Sequence, residues 1–125
     1  MPSTSDHLSQ ARSNEKLAEL LAKSPFSDWR CTVLYYASLH YIQAYFTTLA
    51  PPRRFNSHTA RDAAIQRDPG VSMIREDYRS LEDWSRRTRY ELGRPRTSDF
   101  DNELLPSLQR IKQHLKPYLP GIEVS

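Results

Sequence analysis

The sequence predicts an all-α fold, an antiparallel and mostly up-and-down bundle of four to five helices. Three observations predict it. Apolar residues recur at three- and four-residue intervals along most of the chain. There are only three glycines and few β-branched runs, which disfavours a sheet. Prolines fall between the periodic segments, at Pro25, Pro51–Pro52, Pro69 and Pro117, where they stop helices. With 125 residues, a single domain over 1–125 is expected, its core bundle at about 5–117 and a short tail at 118–125.

The first helix is placed between Ser5 and Lys23, with Leu17, Leu20 and Leu21 as its apolar face. "SPFSD" breaks it, and Ser27 or Asp28 is the expected cap of the second. That second helix, "DWRCTVLYYASLHYIQAYFTTLA", is apolar on most sides and is predicted to be buried. Ser57 caps a third helix that stops before Pro69–Gly70. The fourth follows with Val71, Ile74, Tyr78, Leu81, Ser85, Thr88 and Leu92 as its inner stripe, and Gly93 as its expected C-cap. The fifth begins near Asp99 to Asn102, holds Pro106 in its first turn, and buries Leu104, Leu108, Ile111 and Leu115. The second and fourth helices are expected at the centre.

Composition excludes several functions. No apolar stretch is long enough for a membrane span. The polar start "MPSTSDHLSQ" lacks the apolar region of a signal peptide, so a cytoplasmic location and no membrane contact are expected. One cysteine, Cys31, allows neither an internal disulfide nor a cysteine zinc cluster, and its apolar helix assigns it to packing. The four histidines lack metal-ligand spacing, and no phosphate loop or nucleophile elbow occurs; neither metal nor cofactor is expected. The net charge of +3 is mild, but eleven arginines and no lysine lie between Arg53 and Arg96. Arginine forks onto phosphates, so this distribution permits a nucleic-acid partner.

His58 and Arg61 open the third helix three residues apart, on one face that continues to Ile65. A helix start favours an anion, histidine exchanges protons near neutrality, and arginine holds phosphate with two hydrogen bonds. Together they could bind and help cleave a phosphodiester. The structural alternative pairs Arg61 with Asp62 or Glu82 and His58 with a loop carbonyl. In "SRRTRYE", Glu82–Arg86 and Asp83–Arg87 are i,i+4 ion pairs, whereas Arg89 has Ser85 four residues back and is free to reach the His58 crevice. Arg86 and Tyr90 point further out. His40 is read as a core histidine or as the floor of that crevice. The aromatic excess of the second helix favours a dimer face over base stacking.

"DWRCTVLYYASLHYIQAYF", "SHTARDAAI" and "YRSLEDWSRRTRY" resemble small prokaryotic HEPN domains over about Asp28 to Tyr90. The resemblance implies an all-α homodimer that binds RNA or a nucleotide. In many members it implies a metal-independent ribonuclease of a toxin–antitoxin or antiphage defence system, and in others a subunit beside a partner protein in a two-component system. The ribonuclease motif, an arginine, then four to six residues, then a histidine, falls on Arg53 and His58, with Arg54 directly after the arginine. On this reading His58, Arg61 and Arg89 are catalytic, and Arg53, Arg54, Arg86 and Tyr90 contact phosphate or RNA. The rival is a non-catalytic dimerisation module of the antitoxin or assembly type.

Overall fold

α2, Ser27–Thr47, is the axis of the core in the computed structural model, which describes residues 2–123. Around it stand α1 (Thr4–Leu21), α3 (His58–Arg67) and α4 (Arg75–Tyr90), the last entered through a 3-10 turn at Ser72–Ile74. α5 is a composite rod. One turn at Thr97–Asp99 leads into a π-helical stretch, Phe100–Leu104, and then an α-helix, Leu105–Leu115. These five helices and no strand make up the regular structure of the described residues. Among the described residues no helix is long and apolar enough to cross a membrane.

The pattern of α2 explains its position. Tyr35, Ala37, Ile42, Ala44 and Phe46 are fully enclosed on several sides of the helix. Each large apolar side chain so buried contributes roughly 1.5–3 kcal/mol. Three neighbours use three faces. Thr47 and His40 meet Thr4 and His7 of α1. Tyr35 meets Tyr78 and Glu82 of α4. Arg30 and Tyr41 meet Phe100 and Lys112 of α5. Contacts run in opposite order along α1 and in the same order along α5. The expected cap does not form: Ser27 and Asp28 lie inside the helix, and Phe26 precedes it without a side-chain bond.

α1 is capped by Ser3 and Asp6, whose side chains each accept from the other's backbone N–H. Its buried side is not the expected leucine face. His7, Leu8, Ala11 and Ala18 turn inward, while Leu17 and Leu20 are 42% and 74% exposed. Small Ala11 and Ala18 let α1 lie close to α2, and that close approach outweighs the leucine run. α4, expected at the centre, buries one stripe only, Tyr78, Leu81, Glu82, Ser85 and Thr88. Most of its remaining positions carry charge and are exposed or half-buried, with Trp84 packed against the edge of the core.

The end of α4 differs from expectation. Leu92, not Gly93, takes the left-handed conformation, with φ 58°, and its side chain is 84% exposed. That backbone costs a non-glycine residue about 1 kcal/mol. Leu92→Gly is therefore expected to raise the unfolding free energy by about 0.5–1 kcal/mol, allowing for the freedom glycine adds to the unfolded chain. A thermal melt a few degrees higher would record it.

In α5 the apolar face Leu104, Leu108, Ile111 and Leu115 is buried as the spacing predicts. The rod starts earlier than expected, at Thr97. Pro106 is accommodated by the π stretch: the Leu105 N–H bonds to the Phe100 carbonyl, five residues back. A regular α-turn would instead press the proline ring against the carbonyl of Asn102. Leu119 and Ile122, in the expected tail, are 1% exposed and extend the core.

Candidate functional site

Three helices converge on His58. α2 supplies Tyr35, α3 supplies His58 and Arg61, and α4 supplies Tyr78, Glu82 and Arg86 at four-residue intervals on one face. The Ser57 side chain caps α3 by accepting from the Ala60 N–H at 3.1 Å, as predicted, and this fixes where the helix starts. His58 is thereby its first residue and Arg61 sits one turn on.

Every polar contact of the His58 ring with the described residues uses Nδ1. The Tyr35 hydroxyl and an Arg61 guanidinium nitrogen each lie 3.2 Å from it, and Glu82 Oε2 lies at 3.7 Å. Arg61 can only donate, so towards it Nδ1 is an acceptor and the neutral ring carries its proton on Nε2. Glu82 favours the opposite arrangement, with the proton on Nδ1. Both neighbours act on the same nitrogen. Nε2 is left to a ligand: a donor in one tautomer, a proton acceptor in the other, and a proton donor in the imidazolium. The side chain is 59% exposed, so that edge is accessible.

Behind the ring is a chain of hydroxyls. Tyr35 donates to Glu82 at 3.3 Å and so accepts from Tyr78 at 3.1 Å. Burial pushes both phenols above their usual range, and Tyr35 far above it, with Tyr78 and Glu82 adding to the effect there. They stay protonated and act as donors. Arg61 is 7% exposed beside Tyr78 and has no carboxylate within ion-pair distance among the described residues. Its Nε has no partner. Neither Asp62 nor Glu82 neutralises it; Asp62 pairs with Arg75 at 3.5 Å. Arg61 thus orients His58 from behind. Arg86 forms the expected pair with Glu82 at 3.7 Å and, 59% exposed, presents its guanidinium beside the same carboxylate. Asp83–Arg87 does not form as an ion pair; Arg87 lies 4.6 Å over the Trp84 ring.

Arg89 does not join this cluster. It shares a helix face with Glu82, but seven residues along an α-helix is about 10 Å. There it stacks on exposed Tyr90, donates to the Ser85 carbonyl, and lines a cavity with Trp29, Thr32 and Leu92. His40 is not the floor of the His58 crevice either. It faces His7 in a separate pocket with Arg53 and Arg54. Cys31 is fully buried, and burial pushes its thiol up to about 12, which leaves no thiolate at neutral pH. Among the described residues no three metal-ligating side chains converge.

Tyr35, Tyr78 and His7 carry polar roles that sequence reasoning assigned to packing or passed over. Tyrosine in an apolar stripe reads as core, and nothing local shows where its hydroxyl ends. Glu82 was visible only as an ion-pair partner of Arg86 or Arg61. No family model, curated protein or solved structure matches this chain.

Proposed function

We propose that the protein binds RNA at the exposed edge formed by His58 and Arg86, and that His58 exchanges a proton there during metal-independent cleavage. One observation carries this reading. The imidazole is held through Nδ1 by residues of three helices while its side chain stays 59% exposed, and Arg86 pairs with the other oxygen of the same Glu82. A side chain positioned for its packing alone has no need of both. The HEPN resemblance supplies the chemistry. The ribose 2′-hydroxyl attacks phosphorus and releases its proton to water, the bond from phosphorus to the 5′ oxygen breaks, and the imidazolium of His58 gives its Nε2 proton to that oxygen. Arg86 attracts the phosphate, and Arg61 and Glu82 fix the ring.

The test is cleavage of a labelled single-stranded RNA in the presence of a chelator. Wild type is expected to leave 2′,3′-cyclic phosphate ends. His58→Gln is expected to lower the rate by about 100-fold or more at unchanged melting temperature. Arg86→Ala is expected to raise KM more than it lowers kcat. Absence of both cleavage and binding in the wild type would overturn the proposal.

A second reading, a dimerising module without catalysis, is favoured by the surface at the junction of α1 and α2. Leu17, Phe26 and Trp29 are 42%, 52% and 60% exposed and line one apolar depression with Val33. A dimer in solution with inert RNA behaviour would favour it.

A further inference from the structure

Away from the His58 edge, α1, α2 and the loop after α2 enclose a cavity of about 300 Å³. His7 and His40 stand side by side in it, with Gln43, Arg53, Arg54 and Asn56 around them. Among the described residues no carboxylate lines it. The contrast within this molecule is sharp. The cavity between α4 and α5 is lined by Glu76, Asp83 and Glu103 as well as arginines, and that beside α1 and α5 by Glu15, Glu19 and Glu123. The nearest acid in sequence, Asp6, is turned away to cap α1 on Ser3.

The two cations are held ready. Arg53 lies over the Phe46 and Phe55 rings, at 5.7 and 5.2 Å, and stacking leaves the N–H edges of its guanidinium free. Arg54 gives one N–H to the Pro2 carbonyl at 3.2 Å and keeps the others. The histidines meet through Nδ1, 3.1 Å apart. One therefore donates and the other accepts, so in the neutral pair one Nε2 carries a proton and the other is bare. A single added proton makes both Nε2 atoms donors. Two guanidinium charges and two imidazole donors, with no acid among them, match a tetrahedral dianion.

We propose that this pocket is a separate anion site that takes a phosphate monoester, the terminal phosphate of a nucleotide or of an RNA strand, and that the His7–His40 pair takes up a proton as it binds. In the empty pocket that proton is disfavoured. Burial, then the facing imidazole of His7 and the charge of Arg61 on α3, hold His40 down to about 4, and burial with Arg54 lowers His7 against a small opposing pull from Asp6. An anion reverses the balance of charge, so binding tightens as pH falls.

Sulfate isolates the protein's proton, because its own charge is constant over the range. Sulfate titrations followed by the ring signals of His7 and His40 are expected to show affinity rising between about pH 7.5 and about pH 5.5, by up to about tenfold per unit for one linked proton. Arg54→Ala is expected to weaken binding roughly tenfold. His40→Asn is expected to flatten the pH dependence. His58→Gln is expected to leave both unchanged, which separates this site from the cleavage reading. Inorganic phosphate, a nucleoside 5′-monophosphate, and one oligoribonucleotide with and without a 5′-phosphate then identify the source. Preference for the phosphorylated strand names an RNA end, and equal binding of the monophosphate names a free nucleotide. The proposal is overturned if sulfate and phosphate leave the His7 and His40 signals unmoved, if binding is independent of pH, or if Arg54→Ala binds as wild type does.

Discussion

Glu15→Ala is expected to lower the unfolding free energy by about 3 kcal/mol. Lys112 brings its ammonium into the interface of α1, α2 and α5, where its side chain is 7% exposed. Glu15 meets it at 2.9 Å with one oxygen and accepts from the Tyr41 hydroxyl with the other. Burial, reinforced by Glu15, holds the Tyr41 phenol far above its usual range, so it remains a donor. Removing the carboxylate strands a buried cation and a buried hydroxyl together. Denaturant melts should show the loss in the single variant and its recovery in Glu15→Ala/Lys112→Met, because an apolar side chain of similar shape leaves no charge unpaired. If the double variant were as unstable as the single, the pair would not be the source of the effect.

Gly70→Ala is expected to cost about 2–4 kcal/mol through overpacking. A Cβ there would sit 2.0 Å from the Tyr45 hydroxyl and 2.9 Å from Asp68 Oδ1. Those atoms cannot move cheaply. Tyr45 is 4% exposed, packs edge-on against Tyr118, and donates to Asp68 at 2.9 Å. The same Asp68 oxygen accepts from the Gly70 N–H at 2.7 Å, and the His114 ring meets the Gly70 carbonyl. The turn between α3 and α4 is thus tied to α2 and α5 at one point. Adding Tyr45→Phe to Gly70→Ala removes the closest clash and should recover part of the loss. A thermal melt of Gly70→Ala equal to wild type would show that the turn can shift as a body.

The helices were legible in the sequence because their signals are local. Ser57, Pro69–Gly70 and the run from Cys31 to Phe46 mark boundaries and burial without reference to any other part of the chain. The face of α1 was not legible: which side turns inward depends on how near α2 can come, and two alanines settle that where leucines would be expected to. The candidate site was half visible. His58 and Arg61 stand out by type and spacing, and Arg86 pairs as its spacing predicts. Arg89 was placed on the correct face of α4 but about two turns too far along, since angular position says nothing of depth. The rest depends on long-range convergence. Tyr35 meets a residue 43 positions away, and His7 one 33 positions away. No periodicity within a single helix encodes either meeting.

The wide turn at Phe100–Leu104 also fixes what lengths of chain the last rod tolerates. Excising one residue there would close the wide turn to an ordinary α-turn and leave Leu108, Ile111 and Leu115 on their seats. The ring of Pro106 would then meet the carbonyl four residues back, a clash of about 3 kcal/mol. Single-residue deletions in this stretch should lower the unfolding free energy by about that much, whereas exchanges of the exposed Asp101 or Asn102 should pass unnoticed.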